Sequence, residues 1–389
     1  MTAADIIAIV EKLIAFDTVS RNSNLELIGA AREMLSAAGA DLRFTYDPRH
    51  TKANLFATFG PQTSGGLVLS GHSDVVPVDG QEWSSDPFTA EVRGDCLYGR
   101  GTADMKGFLG VLLALAPQIA KLDLRRPVHF AFSFDEEVGC TGVRHLLGDL
   151  EDADIRPALA IIGEPTEMRV VSAHKAGAVI ETAVRGREGH SSAPENGASA
   201  VMMAGEFVAL IARHQQTLAS VRDDFFDPPY TTLQANVISG GTAVNVLARD
   251  ARVTWEYRAL PDRDPAEILS AIEQEANAAI IAHYRRGAPE AAFKTEVVAA
   301  YPGLARNDES PAVKLACAIT GSNRTHAVSY GTEAGLFQRA GIPAVICGPG
   351  SIAQAHKADE FIALEQLAQC AAFLERLIAR WNGEPDLLQ

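Results

Sequence analysis

Short runs of apolar residues alternate with helical patterns in the first and last parts of the chain. Four of these runs are apolar along nearly their whole length, which is typical of strands that are buried on both faces. They are LVLS at 67–70, VHFAFSF at 128–134, ALAII at 158–162 and IPAVIC at 342–347. Apolar residues at helical spacing lie between them, at 107–120, 142–149 and 332–340. This alternation predicts an α/β fold with a mainly parallel central sheet covered by helices.

A different pattern begins near residue 176. The segment AVIETAVRG alternates apolar and polar residues like a half-buried strand, and a helical pattern follows at 199–214. Two further strand patterns, a second helix and a last strand at 293–299 complete the order β-α-β-β-α-β, which is typical of ferredoxin-like α+β domains. We therefore predict a first domain formed by residues 1–176 and 300–389, with a second domain at 177–299 inserted into it.

Composition and charge narrow the classes of protein to which the chain can belong. Its 389 residues are 47% hydrophobic and 21% charged, the balance of an ordinary globular protein, and this length favours two domains. The net charge of −15 opposes binding to nucleic acid or to an anionic membrane.

The sequence contains no run of about 18 apolar residues, the length needed to span a bilayer, and the amphipathic N-terminal segment is unlike a signal peptide. Five scattered cysteines predict reduced core residues. We expect a cytoplasmic enzyme or binding protein.

Residue types that bind metal ions follow each of the four buried strands. The first three strands are followed directly by GHSD, DEE and GEPT, in that order, and the fourth is followed by a GPG turn and then His356. Because the carboxyl ends of parallel strands share one edge of the sheet, these side chains can converge although they are far apart in the chain. A further acid, Asp104, lies in the glycine-flanked loop GRGTADMKG. The candidate metal ligands are His72, Asp104, Glu137, Glu164 and His356.

Two imidazoles and three carboxylates form a donor set that suits zinc or a similar divalent ion. One carboxylate can bridge two ions about 3.5–4 Å apart, and Asp104 is the expected bridge. A ligating imidazole usually donates its second N–H to a carboxylate, so the His72-x-Asp74 spacing predicts that Asp74 orients His72. Of the paired acids Glu136 and Glu137, one can bind metal while the other stays free as a general base, and we assign that catalytic role to Glu136.

Each of these residues also has a simpler explanation when it is taken alone. A His-x-Asp pair can be a plain turn, Glu136 and Glu137 can form a solvated strand end, and Asp104 can cap the helix that follows it. Glu164 can be an ordinary loop acid, and His356 a surface residue. Independent coincidence at four strand ends is much rarer than any single one of these cases, so the set indicates a metal site more strongly than its members do.

The motifs also resemble those of a known family, the aminoacylase/carboxypeptidase family of di-metal amidohydrolases. The similar motifs are GHSDVVPV, GRGTADMKG, FSFDEEVGCTG, IIGEPT and GPGSIAQAHKADEF, with GREGHSSAPENGASA and ANVISGGTAVN between them. The likeness extends over nearly the whole chain, and within the family IGEPT, GTEAGLF and GPGSIAQAH most resemble the acetylornithine deacetylases. The resemblance implies a zinc-peptidase-like catalytic domain that holds two zinc ions, or cobalt in their place. It also implies an inserted ferredoxin-like lid that often dimerises.

The resemblance further implies roles for individual residues. It assigns one metal ion to His72, Asp104 and Glu164, and the other to Asp104, Glu137 and His356. Asp74 would orient the imidazole, and Glu136 would carry the proton. In the inserted domain, His190 matches a histidine that in dimeric relatives reaches the partner subunit's active site and polarises the scissile carbonyl. Asn245 in GGTAVN matches an amide that contacts substrate.

These assignments predict hydrolysis of an N-acyl amino acid, with N2-acetyl-L-ornithine of arginine biosynthesis as the expected substrate. Its α-carboxylate needs a cation, and Arg258 is the best candidate because a guanidinium binds a carboxylate through two hydrogen bonds. Its δ-ammonium needs an acid, and Glu333 beside Thr332 in GTEAG is expected to serve. Arg258 could instead form a surface ion pair, and Glu333 could instead favour the dipole of the following helix.

Several other functions stay open at this point. Succinyl-diaminopimelate desuccinylase, N-acetylcitrulline deacetylase, aminoacylase and dipeptidase activities belong to the same family. A non-catalytic metal-dependent binding protein would be a different class, and the surplus carboxylate of Glu136 argues against it. The chain contains no G-x-G-x-x-G motif of dinucleotide-binding enzymes, no G-x-S-x-G motif of serine hydrolases and no H-E-x-x-H motif of single-zinc proteases, which argues against these three classes. We therefore expect a small-molecule substrate, with neither nucleic acid nor membrane as a partner. The resemblance to the family implies in addition that the protein is a homodimer.

Overall fold

The computed structural model describes residues 2–383, which form two compact units. Unit 1 consists of Met1–Ala173, Arg306–His326 and Thr332–Gln389, and unit 2 of His174–Ala305 and Ala327–Gly331. The predicted insertion at 177–299 lies inside unit 2. Residues Ala327–Gly331 also belong to unit 2, although the sequence pattern assigned them to the first domain. Gly331 of this segment packs against Tyr301, since a Cβ atom on Gly331 would lie 1.9 Å from that ring.

The strands of the larger sheet include the four that the apolar runs predict. Their bounds are Asp41–Tyr46 (β1), Ala53–Phe59 (β2), Leu67–His72 (β3), Val128–Ser133 (β6), Leu159–Pro165 (β7), Val171–His174 (β8), His326–Val328 (β15) and Ala344–Gly348 (β16). They are arranged in the order β1-β2-β6-β3-β7-β16-β8-β15. The central strands β6, β3, β7 and β16 run parallel to one another, whereas β2 and β8 are antiparallel to the neighbours they flank. The predicted α/β fold with a mainly parallel centre is confirmed.

Helices of unit 1 pack against this sheet. Their bounds are Ala3–Ile14 (α1), Leu25–Ala37 (α2), Lys106–Ile119 (α3), Thr141–Asp152 (α4), Pro311–Thr320 (α8), Ala334–Arg339 (α9) and Leu364–Gly383 (α10). Nearly every residue of α3 is buried, and each large apolar side chain such as Leu112 contributes roughly 1.5–3 kcal/mol to folding. Gly110 lets α1 approach α3, because a Cβ atom there would lie 2.4 Å from Val10. No helix within residues 2–383 is both long and apolar enough to cross a lipid bilayer.

A small sheet of unit 1 joins two loops that matter for the candidate site. It is formed by Glu91–Arg93 (β4), Cys96–Tyr98 (β5) and Phe361–Ala363 (β17), in the order β17-β5-β4. Phe361 lies opposite Tyr98 in the antiparallel pair β17 and β5. The loop that follows β5 carries Asp104, and the loop that precedes β17 carries His356. The pairing therefore holds these two loops next to each other.

Unit 2 contains the second sheet and its helices. The elements are Ala176–Arg185 (β9), Gly189–His190 (β10), Ala200–Leu218 (α5), Thr232–Gly240 (β11), Val246–Leu247 (β12), Asp250–Ala259 (β13), Pro265–Glu275 (α6), a π-helix at Ala276–Ile281, Ala282–Tyr284 (α7) and Ala292–Tyr301 (β14). The main sheet is antiparallel, in the order β11-β13-β9-β14. Its core includes Trp255, which packs edge-to-face on Phe207 of α5 and donates a hydrogen bond to Thr182. The main elements follow the β-α-β-β-α-β order.

Candidate metal centre

The predicted ligands lie together at the carboxyl ends of the parallel strands. His72 is the last residue of β3, Glu164 lies near the end of β7, and Glu137 follows β6. Asp104 and His356 lie in the loops that precede α3 and β17. The strands point their carboxyl ends to one edge of the sheet, and the small sheet adds the two loops to it. The structure therefore brings all five side chains together.

Asp104 lies between the two imidazoles. Its Oδ1 atom is 3.0 Å from Nε2 of His72, and its Oδ2 atom is 3.4 Å from Nε2 of His356. Oε1 of Glu164 is 3.8 Å from Nε2 of His72, and Oε2 of Glu137 is 3.1 Å from Nε2 of His356. Each imidazole thus faces one oxygen of Asp104 and one further carboxylate, which is the arrangement that a carboxylate-bridged pair of ions requires.

Glu136 lies as close to the cluster as the predicted ligands do. One ligand atom from each of His72, Glu136 and Glu164 lies within 4.8 Å of the other two, and the same holds for His72, Asp104 and Glu137. The geometry allows the Glu136 carboxylate either to exchange protons beside bound ions or to bind an ion itself. If Glu136 binds an ion, loss of its side chain should weaken metal binding. If it only exchanges protons, metal binding should stay the same.

The charges of the cluster are unbalanced in favour of carboxylates. Burial, together with repulsion from neighbouring acids, raises the pKa of Glu136 and Glu164 well above the usual value, and that of Glu137 less strongly. Hydrogen bonds to Asp104 and Glu137 raise the pKa of His356 to about 10. Oε1 of Glu164 is buried without a hydrogen-bond partner among the described residues. A divalent cation would balance these charges and satisfy this oxygen, so the residues fit a metal site.

Asp74 makes different contacts from those its spacing predicts. Nδ1 of His72 is 2.9 Å from the backbone carbonyl oxygen of Asp74 and 3.7 Å from its carboxylate. The carboxylate instead accepts hydrogen bonds from the backbone N–H groups of Glu136 and Glu137 and from the Ser20 hydroxyl, at 3.1, 3.4 and 2.7 Å. In this structure the carbonyl oxygen, and not the carboxylate, is within hydrogen-bond distance of the imidazole, and the predicted role of the Asp74 carboxylate in orienting His72 stays a prediction. The main chain of Asp74 faces His72, and its side chain fixes the segment that carries the paired acids.

Two charged residues behind the cluster have no counterpart in the sequence prediction. Arg100 and Glu360 are each 1% exposed and form an ion pair of 2.8 Å. The Glu360 carboxylate also accepts backbone N–H groups from the loop that carries Asp104. The only sequence signal for this pair is its position in GRGTADMKG and HKADEF, two motifs that already contain candidate ligands.

Thr332 and Glu333 are fully buried beside the start of α9. The Thr332 hydroxyl accepts the N–H of Ala334 at 3.0 Å. The Glu333 carboxylate accepts hydrogen bonds from the hydroxyl groups of Ser70 on β3, at 3.3 Å, and of Ser133 on β6, and burial raises its pKa to about 7. The predicted contact of Glu333 with a substrate ammonium group does not fit this setting. Both oxygens are engaged inside the protein, and no part of either side chain is exposed.

Unit 2 brings His190 and Asn245 next to each other. The short strands β10 and β12 pair so that His190 lies opposite Val246, the residue after Asn245. The backbone N–H of Ser191 donates to the carbonyl oxygen of Asn245 at 3.1 Å. Nδ1 of His190 is 2.8 Å from the Ser192 hydroxyl, and both predicted residues are exposed. Their neighbouring positions are compatible with a joint contact to one substrate.

Arg258 lies on β13 and already has partners within unit 2. Its guanidinium donates to Oε2 of Glu256 at 3.0 Å and to the hydroxyl group of Tyr301. A substrate carboxylate would have to compete with Glu256 for this side chain. The ion pair that the sequence left open as an alternative is thus present, and the predicted contact with substrate stays a prediction.

The chain is similar to several known proteins. Residues 68–380 match the model of peptidase family M20/M25/M40. The chain is 36% identical over 385 residues to an acetylornithine deacetylase from Myxococcus xanthus, and the match covers 97% of each chain. An M20 family metallo-carboxypeptidase from Sulfolobus solfataricus is structurally similar, with a TM-score of 0.78 at 16% identity over 97% of this chain and 99% of that one. A dinuclear metal-binding M20 peptidase from Bacillus subtilis has a TM-score of 0.67 at 18% identity, over 98% of both chains.

Proposed function

Because the chain belongs to peptidase family M20/M25/M40, whose members hydrolyse amide bonds, we propose that it converts N2-acetyl-L-ornithine to L-ornithine and acetate. The support for this substrate is the similarity to an acetylornithine deacetylase over 97% of the chain. The enzyme would act in the cytoplasm, in arginine biosynthesis. The observation that carries the hydrolytic mechanism is the position of Asp104 between His72 and His356, with Glu136 beside them.

Two divalent metal ions, zinc or cobalt, belong to this proposal. His72, Asp104 and Glu164 would hold one ion, and Asp104, Glu137 and His356 the other. The supporting observations are the two oxygens of Asp104, each directed at one imidazole, and the buried Glu164 oxygen without a hydrogen-bond partner among residues 2–383. Bound ions would polarise the substrate carbonyl and make water more acidic.

Glu136 is the proposed general base and acid. It is surplus to the two ligand sets and lies beside them, so its carboxylate can take a proton from the attacking water and pass it to the leaving amine. A C–O bond forms to the acyl carbon as the C–N bond breaks, which gives acetate and a free amino group. The hydrogen bond from the Glu136 N–H to Asp74 holds the backbone from which this carboxylate projects.

Residues of unit 2 are proposed to recognise the substrate. His190 would polarise the scissile carbonyl in the partner subunit's active site, and Asn245 would contact the substrate beside it. The support is that the two residues are neighbours and exposed. Arg258 would bind the α-carboxylate of the substrate in place of Glu256, which accepts a hydrogen bond from its guanidinium in this structure.

A homodimer formed through unit 2 completes the proposal. Strand β11 lies at an edge of its sheet, where Val237 and Ile238 are 58% and 54% exposed. Met202 on α5 is 62% exposed. An unpaired strand edge beside apolar side chains is well suited to bind a second copy, which would pair the edge and cover the side chains.

The proposed function can be tested with a panel of substrates. N2-acetylornithine, N-acetylcitrulline, N-acetylmethionine, N-succinyl-diaminopimelate and a dipeptide are compared by kcat/KM with zinc, with cobalt and after chelation. We expect the highest kcat/KM for N2-acetylornithine, loss of activity on chelation and its return with either metal. A preference for the succinylated compound or the dipeptide would overturn the substrate assignment. No hydrolysis of any compound with either metal would overturn the catalytic mechanism.

A further inference from the structure

The carboxylate of Glu360 binds the loop that carries Asp104. Its Oε1 atom accepts the backbone N–H groups of Ala103 and Asp104 at 2.9 and 3.0 Å. Its Oε2 atom accepts the N–H of Gly101 at 3.0 Å and the guanidinium of Arg100 at 2.8 Å. Within the described part of the chain, every hydrogen bond to this carboxylate thus comes from residues 100–104. Four donors on two oxygens fix both the position and the orientation of the Asp104 backbone.

The guanidinium of Arg100 connects the same carboxylate to the loop that carries His356. One nitrogen also donates to the carbonyl oxygen of Lys357 at 3.2 Å, and the other donates to the side-chain oxygen of Gln81 at 2.5 Å. The side-chain amide of Gln81 in turn donates to the carbonyl oxygen of His356 at 2.9 Å. The ring of Trp83 covers Arg100, with its centroid 5.0 Å from the guanidinium carbon. One ion pair is therefore joined to two loops that each carry a candidate ligand.

We propose that the Arg100–Glu360 ion pair, with Gln81, positions Asp104 and His356 as ligands and thereby sets the affinity for the metal ion that these two residues share. This inference rests on the proposed two-metal centre. Asp104 and His356 belong together to only one of the two ligand sets, the one completed by Glu137. Disturbing the pair should therefore weaken that ion more than the ion held by His72 and Glu164.

A purely stabilising role explains the pair less well. A buried ion pair loses the hydration of both charges, so its net contribution to stability is often small. Here Nε of Arg100 is also buried without a hydrogen-bond partner among residues 2–383, which adds to that loss. Burial raises the pKa of Glu360, whereas Arg100 and the N–H of Gly101 lower it. Residues that orient metal ligands typically change metal affinity about 10- to 100-fold when they are replaced.

The decisive variant is Glu360→Gln. The two side chains have the same shape, but the amide places an NH2 group against either the N–H groups of Ala103 and Asp104 or those of Gly101 and Arg100. In both orientations a donor faces donors, so the loop must move. Gln81→Leu is the graded companion variant. It removes the contact with His356 and the acceptor for one nitrogen of Arg100, while leaving the bonds from Glu360 to the Asp104 loop in place.

Asp308→Asn supplies the matched control. The Asp308 carboxylate also accepts hydrogen bonds from an arginine and from two other donors, namely Arg306, Ser172 and Thr325. None of these residues is a candidate metal ligand. The control therefore makes the same chemical change in the same unit without touching the cluster.

The experiment measures zinc binding to chelator-treated protein by competition with a chromophoric chelator, and the free energy of unfolding in urea without metal. For Glu360→Gln we expect one of the two zinc ions to bind about 10- to 100-fold more weakly. Gln81→Leu should weaken the same ion to a smaller extent. Asp308→Asn should bind both ions like the wild type, whatever its stability.

The outcomes separate this inference from the proposed function. Wild-type affinities for both ions in Glu360→Gln would overturn the positioning role while leaving the two-metal centre intact. Equal weakening of both ions in Glu360→Gln and in Asp308→Asn would also overturn it, because the effect would be general destabilisation. A wild-type protein that binds no zinc would overturn the proposed function itself. If Glu360→Gln does not fold, Gln81→Leu decides: selective weakening supports the inference, and unchanged affinities overturn it.

Discussion

The carboxylate of Asp74 accepts a hydrogen bond from the backbone N–H of Glu136 at a distance of 3.1 Å. The same carboxylate accepts the N–H of Glu137 at 3.4 Å. One side chain from the segment after β3 therefore fixes the segment that follows β6. Asp74 thus connects two neighbouring strands at the edge where the candidate ligands lie. Replacing Asp74 should therefore affect this edge of the sheet specifically.

Asp74→Asn should separate the two roles of this residue. The backbone carbonyl that faces His72 remains in this variant. In the side chain, one oxygen can still accept hydrogen bonds, whereas in the wild type the donors are shared between two oxygens. A hydrogen bond to a charged group contributes about 1.5–3 kcal/mol, so we expect a stability loss of that order. We also expect a lower kcat, with the ion held by His72 still bound. Urea unfolding, kinetics and zinc titration measure these effects. Ser20→Ala, which removes only a side-chain donor, is the control, and an equal loss of kcat there would contradict the explanation.

Glu136→Gln should lower kcat by about 10²- to 10⁴-fold, because a general base contributes that range. The amide cannot take up a proton, but it leaves the two proposed ligand sets complete. Metal content after dialysis against zinc should therefore equal that of the wild type. Elemental analysis alongside kcat checks both parts. A variant that loses a zinc ion would show that Glu136 is a ligand, and a metal-replete variant with unchanged turnover would exclude the role as base.

Removal of metal should lower the melting temperature without unfolding the protein at room temperature. An ion that binds only the folded state stabilises it by about 2.7 kcal/mol at a concentration 100 times its Kd. Without a cation, the buried carboxylates also repel one another. Differential scanning calorimetry should show a fall in Tm on chelation and recovery with zinc. Asp104→Asn lacks the charge of the proposed bridging ligand and should recover much less. Equal Tm values with and without zinc in the wild type would contradict the metal centre.

Glu333 should make the pH dependence of stability steeper between pH 5 and pH 8. Burial raises its pKa from the usual 4.5 to about 7. Its contribution is therefore present in full below pH 4.5 and is lost as the pH rises through about 7, a change of about 3 kcal/mol. Because Glu333→Gln cannot ionise, the stability of the wild type relative to this variant should fall over that interval. Urea unfolding of chelator-treated protein measures it. Glu375→Gln, which makes the same substitution at an exposed position on α10, is the control for the substitution itself.

Ile238→Lys on β11 should convert the proposed dimer to a monomer. The lysine places a charge in the apolar patch beside the unpaired strand edge, where a second copy would have to bury it. Val298→Lys on β14 is the matched control, because β14 lies at the other edge of the same sheet and Val298 is 64% exposed. Analytical ultracentrifugation gives the mass of each variant. Dissociation by Val298→Lys alone would place the interface at the opposite edge.

The centre of the fold is predictable from the sequence because strands buried on both faces are apolar almost throughout. The run at 128–134 cannot be a half-exposed strand, and the paired acids that follow it mark the point at which the strand leaves the core. The same reasoning predicts that His72 and Glu164 lie at one edge. Residues 327–331 group with unit 2, which the sequence pattern does not indicate, because five residues carry no periodicity and the packing of Gly331 on Tyr301 depends on distant sequence.

The contacts of single acids could not be predicted in the same way. The spacing of His72 and Asp74 makes them neighbours, but it does not reveal which oxygen faces the imidazole. The burial of Glu333 and Glu360 inside the protein cannot be predicted locally, because a carboxylate can be buried only where donors satisfy it. Those donors are the hydroxyl groups of Ser70 and Ser133 and the guanidinium of Arg100, which lie 200 or more residues away in the chain.

Strand β16 lies between β7 and β8, and His356 and Glu360 follow it in the chain. During translation, a growing polypeptide therefore contains His72, Asp104 and Glu164 long before the segment that completes the cluster has left the ribosome. Until then the N–H groups beside Asp104 lack the carboxylate that binds them, and one side of β7 is unpaired. Completion of the proposed metal centre is accordingly a late step in biogenesis, and a stalled or truncated chain would carry the early candidate ligands without a finished site.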